Sequence, residues 1–125
     1  MLEIFDENKY DFMDSTLNEI KLCDKNLNDY LLVIDYFLGM SEDRSGPKYS
    51  PLTLRLKNVG KLNLTINKEA ETYLSSLLTL AHISKKRKEN KVEVIIESAM
   101  FLPEQKTLIY CLCDEVYIEK SNNQK

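Results

Sequence analysis

Residues 51–66, PLTLRLKNVGKLNLTI, alternate apolar and polar side chains. Leu52, Leu54 and Leu56 are set against Thr53, Arg55 and Lys57, then Leu62, Leu64 and Ile66 against Lys61, Asn63 and Thr65. A period of two puts each set on one side of an extended chain, whereas a helix would spread the leucines around its circumference. The pattern predicts a hairpin turned at Gly60, with one dry and one wet face, as in antiparallel sheets covered on one side.

Three further segments read as strands. In DYLLVIDYF, Tyr30, Leu32, Ile34 and Tyr36 alternate with Leu31, Val33 and Phe37, so both faces are apolar and a central strand is expected. TLIYCLC repeats this, with Leu108, Tyr110 and Leu112 on one face and Ile109, Cys111 and Cys113 on the other. VEVIIES places Val92, Val94 and Ile96 inward and Glu93 and Glu97 outward, and Phe101 to Gln105 forms a loop in which Pro103 stops the ladder.

INKEAETYLSSLLTLAHISKKRKEN has a different period. Ala70, Tyr73, Leu74, Leu77, Leu78 and Ala81 fall at helical spacing, Asn67 suits an N-cap, Glu69 and Glu71 the first turns, and Lys85 to Lys88 the last. A helix from Lys68 to about Lys86 is expected. Tyr10, Met13, Leu17 and Ile20 predict a short N-terminal helix leading into a strand over Thr16–Cys23. The expected fold is α+β: a mostly antiparallel sheet of about six strands packed on one long amphipathic helix, preceded by a short helix.

A chain of 125 residues suits one core better than two. No repeat divides it, and residues 1–119 are expected to form a single domain followed by a polar tail, residues 120–125. The start, MLEIFDENKYDF, lacks the basic and apolar regions of a secretory signal. The stretch Tyr30 to Met40 is broken by Asp35 and falls short of the roughly 20 residues that span a bilayer. Three cysteines cannot all pair within one chain, which points to the cytoplasm and a reducing environment.

Catalytic and cofactor chemistry finds little to use. His82 is the only histidine, too few for the usual imidazole metal sites, and Cys23, Cys111 and Cys113 lack the CxxC spacing of a zinc site, so they read as small buried hydrophobes. A Cys and His82 pair is the one nucleophilic arrangement on offer. Gly39, Gly46 and Gly60 are isolated, so neither GxxxxGK[ST] nor GxGxxG occurs. Asp11, Asp14 and Glu19 are close in sequence, and Asp35 is the odd acid within an apolar strand. No enzymatic activity, cofactor or metal is expected. The run KKRKEN, residues 85–90, contains no aromatic residue and reads as a solvated end rather than a nucleic-acid surface.

Charge is segregated: residues 1–44 hold 11 acids against 4 bases, and residues 45–90 hold 9 bases against 3 acids. The longest aperiodic stretch, GMSEDRSGPKYSP, is expected to be a loop carrying Glu42, Asp43, Arg44, Lys48 and Tyr49, which with Asp35 are the candidate partner contacts.

The order DSTLNEIKL, DYLLVIDYF, PLTLRLKNVGKLNLTI, VEVIIES and TLIYCLC resembles the small α+β immunity proteins that bacteria encode beside polymorphic toxins. Some of these open with an HDS-type turn; here the position reads Met13-Asp14-Ser15, without the His. The resemblance implies a cytoplasmic protein that binds and neutralises a cognate toxin. A different class of expectation is a small-ligand-binding, helix-grip-like domain with an apolar cavity lined by Tyr30, Tyr36, Tyr73 and Tyr110. Either edge of the sheet is also open to pairing with a second copy as a homodimer.

Overall fold

The computed structural model describes residues 2–23, 28–64, 79–102 and 105–120. Its strands are β1 (Leu2–Ile4), β2 (Thr16–Leu22), β3 (Tyr30–Met40), β4 (Pro47–Lys57), β5 (Lys61–Leu64), β6 (Leu80–Lys88), β7 (Lys91–Leu102), β8 (Gln105–Cys113) and β9 (Glu115–Lys120). They form two antiparallel sheets, one in the order β1-β9-β4-β3-β2 and one in the order β5-β8-β7-β6.

Among the described residues there is no α-helix, so the α+β expectation of one sheet on one helix is corrected to an all-β arrangement of two sheets. The inner side chains of both sheets merge into one core: Leu32, Ile34, Leu54, Leu56, Val116 and Ile118 from the first, Ile83, Val92, Val94, Ile96, Ile109, Cys111 and Cys113 from the second. Each large aliphatic side chain buried there contributes about 1.5–3 kcal/mol. A one-residue slip of any strand would expose its whole inward set, which fixes the register.

Three local expectations change. The predicted hairpin at Gly60 does not form: β4 is already paired on both edges, with β3 and β9, so the chain crosses to the other sheet and β5 pairs with β8. The corner is held by Asn58 in a left-handed conformation (φ 52°) and by Val59 N–H donating to Asn28 O at 2.7 Å.

The C-terminal part of the predicted helix, from Leu80 onward, is strand β6, paired with β7; residues 65–78, including Tyr73, Leu74, Leu77 and Leu78, lie outside the described residues. A bulge at Ala81 explains the misleading period. Leu80 pairs with Ser98 and His82 with Glu97, so Leu80 and Ile83, three apart as on a helix, both point into the core.

The N-terminal helix is replaced by edge strand β1, a single 3-10 turn over Glu7–Lys9 capped by Asp6, and an irregular run that turns at Met13-Asp14, with Asp14 left-handed (φ 68°), before Ser15. This run lays Phe5 and Phe12 into the core and builds an aromatic cluster with Tyr10 and Tyr36, the closest pair being Phe12 and Tyr36 at 5.3 Å.

The alternations themselves hold. Leu52, Leu54 and Leu56 point inward, as do Val92, Val94 and Ile96, and β3 and β8 are flanked on both sides by other strands.

Candidate partner-binding surface

The stretch expected to be a loop is mostly ladder. β3 and β4 stay paired out to Met40↔Pro47, leaving only residues 41–46 as the turn. Among the described residues neither neighbour reaches so far: β2 pairs as far as Thr16 opposite Asp35, and β9 as far as Lys120 opposite Leu52. So, among the described residues, residues 38–40 of β3 and 47–51 of β4 extend past their outer neighbours as a two-stranded arm, tied at its base by Tyr36 and by the Phe37 N–H to Ser15 Oγ.

The arm's turn is internally tied. Asp43 Oδ1 accepts from Ser41 Oγ at 2.8 Å and from Ser45 N–H at 3.0 Å, and Ser41 N–H donates to Gly46 O at 2.9 Å. The Ser45 N–H, with the Ser41 and Ser45 hydroxyls, pushes the Asp43 carboxyl down to about 2. Arg44 takes a left-handed conformation, φ 59°, to close the turn. Asp43 thus serves the turn itself, while Glu42 stands exposed beside it.

Register decides which of the expected contacts share a face. Asp35 pairs with Pro51 and Phe37 with Tyr49, all on the side of β3 and β4 away from the core. Between Phe37 and Gly39 the ladder shifts by one residue, Leu38 being the extra one, and Gly39 adopts φ 105°. That shift brings Met40 opposite Pro47, and so onto the outer face with Phe37. In an unbroken alternation Met40 would lie with the inward set. Met40, Pro47, Phe37, Tyr49, Pro51, Val33 and Leu31 then form one outer strip, with the Phe37 and Tyr49 rings 5.7 Å apart.

Large apolar groups stand open along the arm: Leu38 is 58% exposed, Met40 60% and Tyr49 44%. Of the expected contacts, Asp35 and Tyr49 belong to this strip; Glu42, Asp43 and Arg44 lie in the turn; Lys48, opposite Gly39, points to the other side. Asp35 is partly exposed, opposite Thr16 of β2 and Pro51 of β4.

The buried acid is a different one, which the sequence reading missed. Asp29, 2% exposed, accepts from Arg55 Nε and Nη2 at 2.9 Å each and from Asn58 N–H at 2.8 Å. The bond to Asp29 holds the Arg55 guanidinium above its ordinary range. An Asp one residue before a strand carries no signal of such a pairing. The pair borders a recess of about 380 Å³ lined also by Leu2, Lys57 and Tyr117.

No family model, curated protein or solved structure matches the chain. The reading of this surface therefore rests on its own chemistry.

The other candidates do not converge. Cys23, Cys111 and Cys113 are free and buried, and the hydrogen bond with Cys113 together with burial drives the Cys111 thiol far above its ordinary range. His82, expected near the end of a helix, sits on β6 with Nε2 3.6 Å from Glu7 Oε2, away from the inward-facing thiols. Among the described residues no three metal-binding side chains come together, and no helix is long and apolar enough to cross a membrane.

The basic run is dispersed by strand alternation. Lys85 and Arg87 reach Glu115 at 2.6 and 3.1 Å, and Lys88 lies on the other side, 3.9 Å from Glu93. Nor do Tyr36 and Tyr110, two of the tyrosines expected to line a ligand cavity, come together. Tyr36 sits in the aromatic cluster, Tyr110 donates to Glu93 at 2.7 Å on the outer side of the second sheet, and Tyr73 is outside the described residues.

Proposed function

We propose that this chain works by binding another protein, as a cytoplasmic immunity protein that occupies and neutralises a cognate bacterial toxin. The observation that carries the reading is the projecting β3–β4 arm, which displays Leu38, Met40 and Tyr49 on a strand ladder instead of burying them. Exposed apolar and aromatic side chains on a rigid support are what protein interfaces use as anchors, because little conformational freedom is lost on docking. Three free, buried cysteines are in keeping with a reducing compartment.

The test is to retrieve the partner from the native host with the tagged full chain and express that partner alone and together with the chain. Growth arrest by the partner alone, relieved by co-expression and lost again with Met40→Ala/Tyr49→Ala, is the expected result. A retrieved protein that is harmless by itself, or rescue indifferent to the arm, sinks the reading.

A further inference from the structure

The outer strand of an open sheet exposes N–H and C=O groups that a second chain can pair with. Among the described residues the two sheets end in β1, β2, β5 and β6. Charge separates these four edges as places for two identical copies to meet, because a two-fold axis across a strand sets each residue against the one equally far on the other side of the axis. β6 carries Lys85, Lys86, Arg87 and Lys88 and would set cation against cation, and its Lys85 N–H already donates to Glu7 Oε1 at 3.4 Å. β1 is three residues long, and its central Glu3 would face itself. β5 has Lys61 and no acid to answer it.

β2 is different. Ile20 is flanked by Glu19 and Lys21, whose side chains are 55% and 50% exposed. An axis through Ile20 sets Glu19 of each copy opposite Lys21 of the other. The backbone agrees with that register. Cys23 N–H donates to Asp29 O at 2.9 Å, the pair that follows Leu22↔Tyr30, so Lys21 and Cys23 turn their backbone groups toward β3 while Ile20 and Leu22 turn theirs outward. Ile20 would then exchange hydrogen bonds with its own counterpart, and Glu19 and Lys21 would take the closer, non-hydrogen-bonded positions where cross-strand side chains meet. On the inner side of the sheet Ile20 packs at the rim of the core, and Leu22 beside it is 46% exposed; a second copy of β2 covers both.

We infer that β2 pairs antiparallel with β2 of a second copy about a two-fold axis at Ile20, joining two five-stranded sheets into one of ten strands. The pairing is short. Thr16 is bridged to Thr79 and Leu80 N–H donates to Ser15 O, so the edge is open only from Asn18, the extra residue of a bulge, to Leu22. Such a contact belongs with small, weak and concentration-dependent interfaces. It uses none of the arm's residues and does not depend on the partner-binding reading.

Sedimentation velocity of the full chain, up to about 1 mM, the weak end of the affinity scale, is expected to show a monomer–dimer equilibrium that weakens with added salt. Glu19→Lys and Lys21→Glu each set like charges opposite one another and should each weaken the dimer by about tenfold or more. Both side chains are exposed, so the melting temperature should barely change. Mixed one to one, the two variants should associate with each other as tightly as the wild type does with itself, because opposite charges again face across the axis. Hydrogen exchange at the Ile20 and Leu22 amides should slow as concentration rises, with no such change at Lys21.

A chain that stays monomeric throughout the series overturns the inference. So does a dimer indifferent to both charge reversals, or one that Tyr49→Ala dissociates, which would place the contact on the arm. Retrieval of a toxin bears on the proposed function alone, so the two readings fail separately.

Discussion

At the scale of single residues, the two aspartates flanking the core segment of β3 are treated in opposite ways. Asp29 is fully enclosed and pinned by three donors, which fasten the entry to β3 against the corner after β4. Replacing it with alanine leaves the Arg55 guanidinium, 24% exposed, without its counter-charge and the Asn58 N–H without an acceptor. The loss should be about 2–4 kcal/mol, somewhat below that of a wholly buried pair because Arg55 keeps some solvent. A lowered midpoint in urea would register it, and Asp29→Leu combined with Arg55→Leu should recover much of the loss. Failure of that double replacement to recover stability would mean that the Asn58 bond, and not the charge pair, dominates. Asp35, six residues along, is partly exposed opposite Thr16 and Pro51.

At the scale of elements, the β3–β4 arm depends on two local devices. Gly39 has φ 105° and nothing within 4 Å of the place a Cβ would occupy, so Gly39→Ala should cost about 1–3 kcal/mol through backbone strain alone. Ser15→Ala removes the acceptor of the Phe37 N–H where the arm leaves the sheet, and should cost about 1–2 kcal/mol. Hydrogen exchange at Phe37 checks the second change directly: protection should fall there with little change at Ile34, deep in the same strand.

These devices also mark what was legible in the sequence. Alternation is local, so the inward sets of β4, β7 and β8 could be read from the residues alone. Pairing is not local. PLTLRLKNVGKLNLTI reads as a hairpin because nothing within it reveals that both edges of β4 are claimed by β3 and β9. LAHISKKRK reads as the end of a helix because one bulge converts a period of two into a step of three. Tyr49 and Asp35 were recognisable as unusual residues, but their shared face was not, and Met40 joins them only through the shift at Leu38.

For the whole molecule, the sheets are clipped together where Glu115 of β9 meets Lys85 and Arg87 of β6, with Lys85 Nζ also donating to Phe5 O at 2.8 Å. Burial pushes the Glu115 carboxyl up, but the Lys85 ammonium, the Val116 N–H and the Arg87 charge together hold it below its ordinary 4.5. Asp114, at the corner between β8 and β9, is likewise held below its ordinary 3.8 by Lys91 and Asn58. Both are depressed acids, so their contribution is complete above the unfolded values and is lost as pH falls through the lower native ones. The urea midpoint should thus be flat down to about pH 4.5 and decline below it, and Glu115→Gln should lower the neutral plateau and shallow that decline. A midpoint independent of pH between 5 and 3 would contradict the clip.

The order β1-β9-β4 has a consequence for synthesis on the ribosome. Among the described residues β1 has its only ladder partner in residues 115–120, and β4 keeps one edge open until those same residues arrive. A nascent chain that stops before Glu115 can build the β6–β7–β8 layer and the β2–β3–β4 meander but cannot join β1 to either. Completion of the first sheet therefore waits for the translation of β9, the strand that joins β1 to β4, and chains truncated there should be the ones that proteases and chaperones meet.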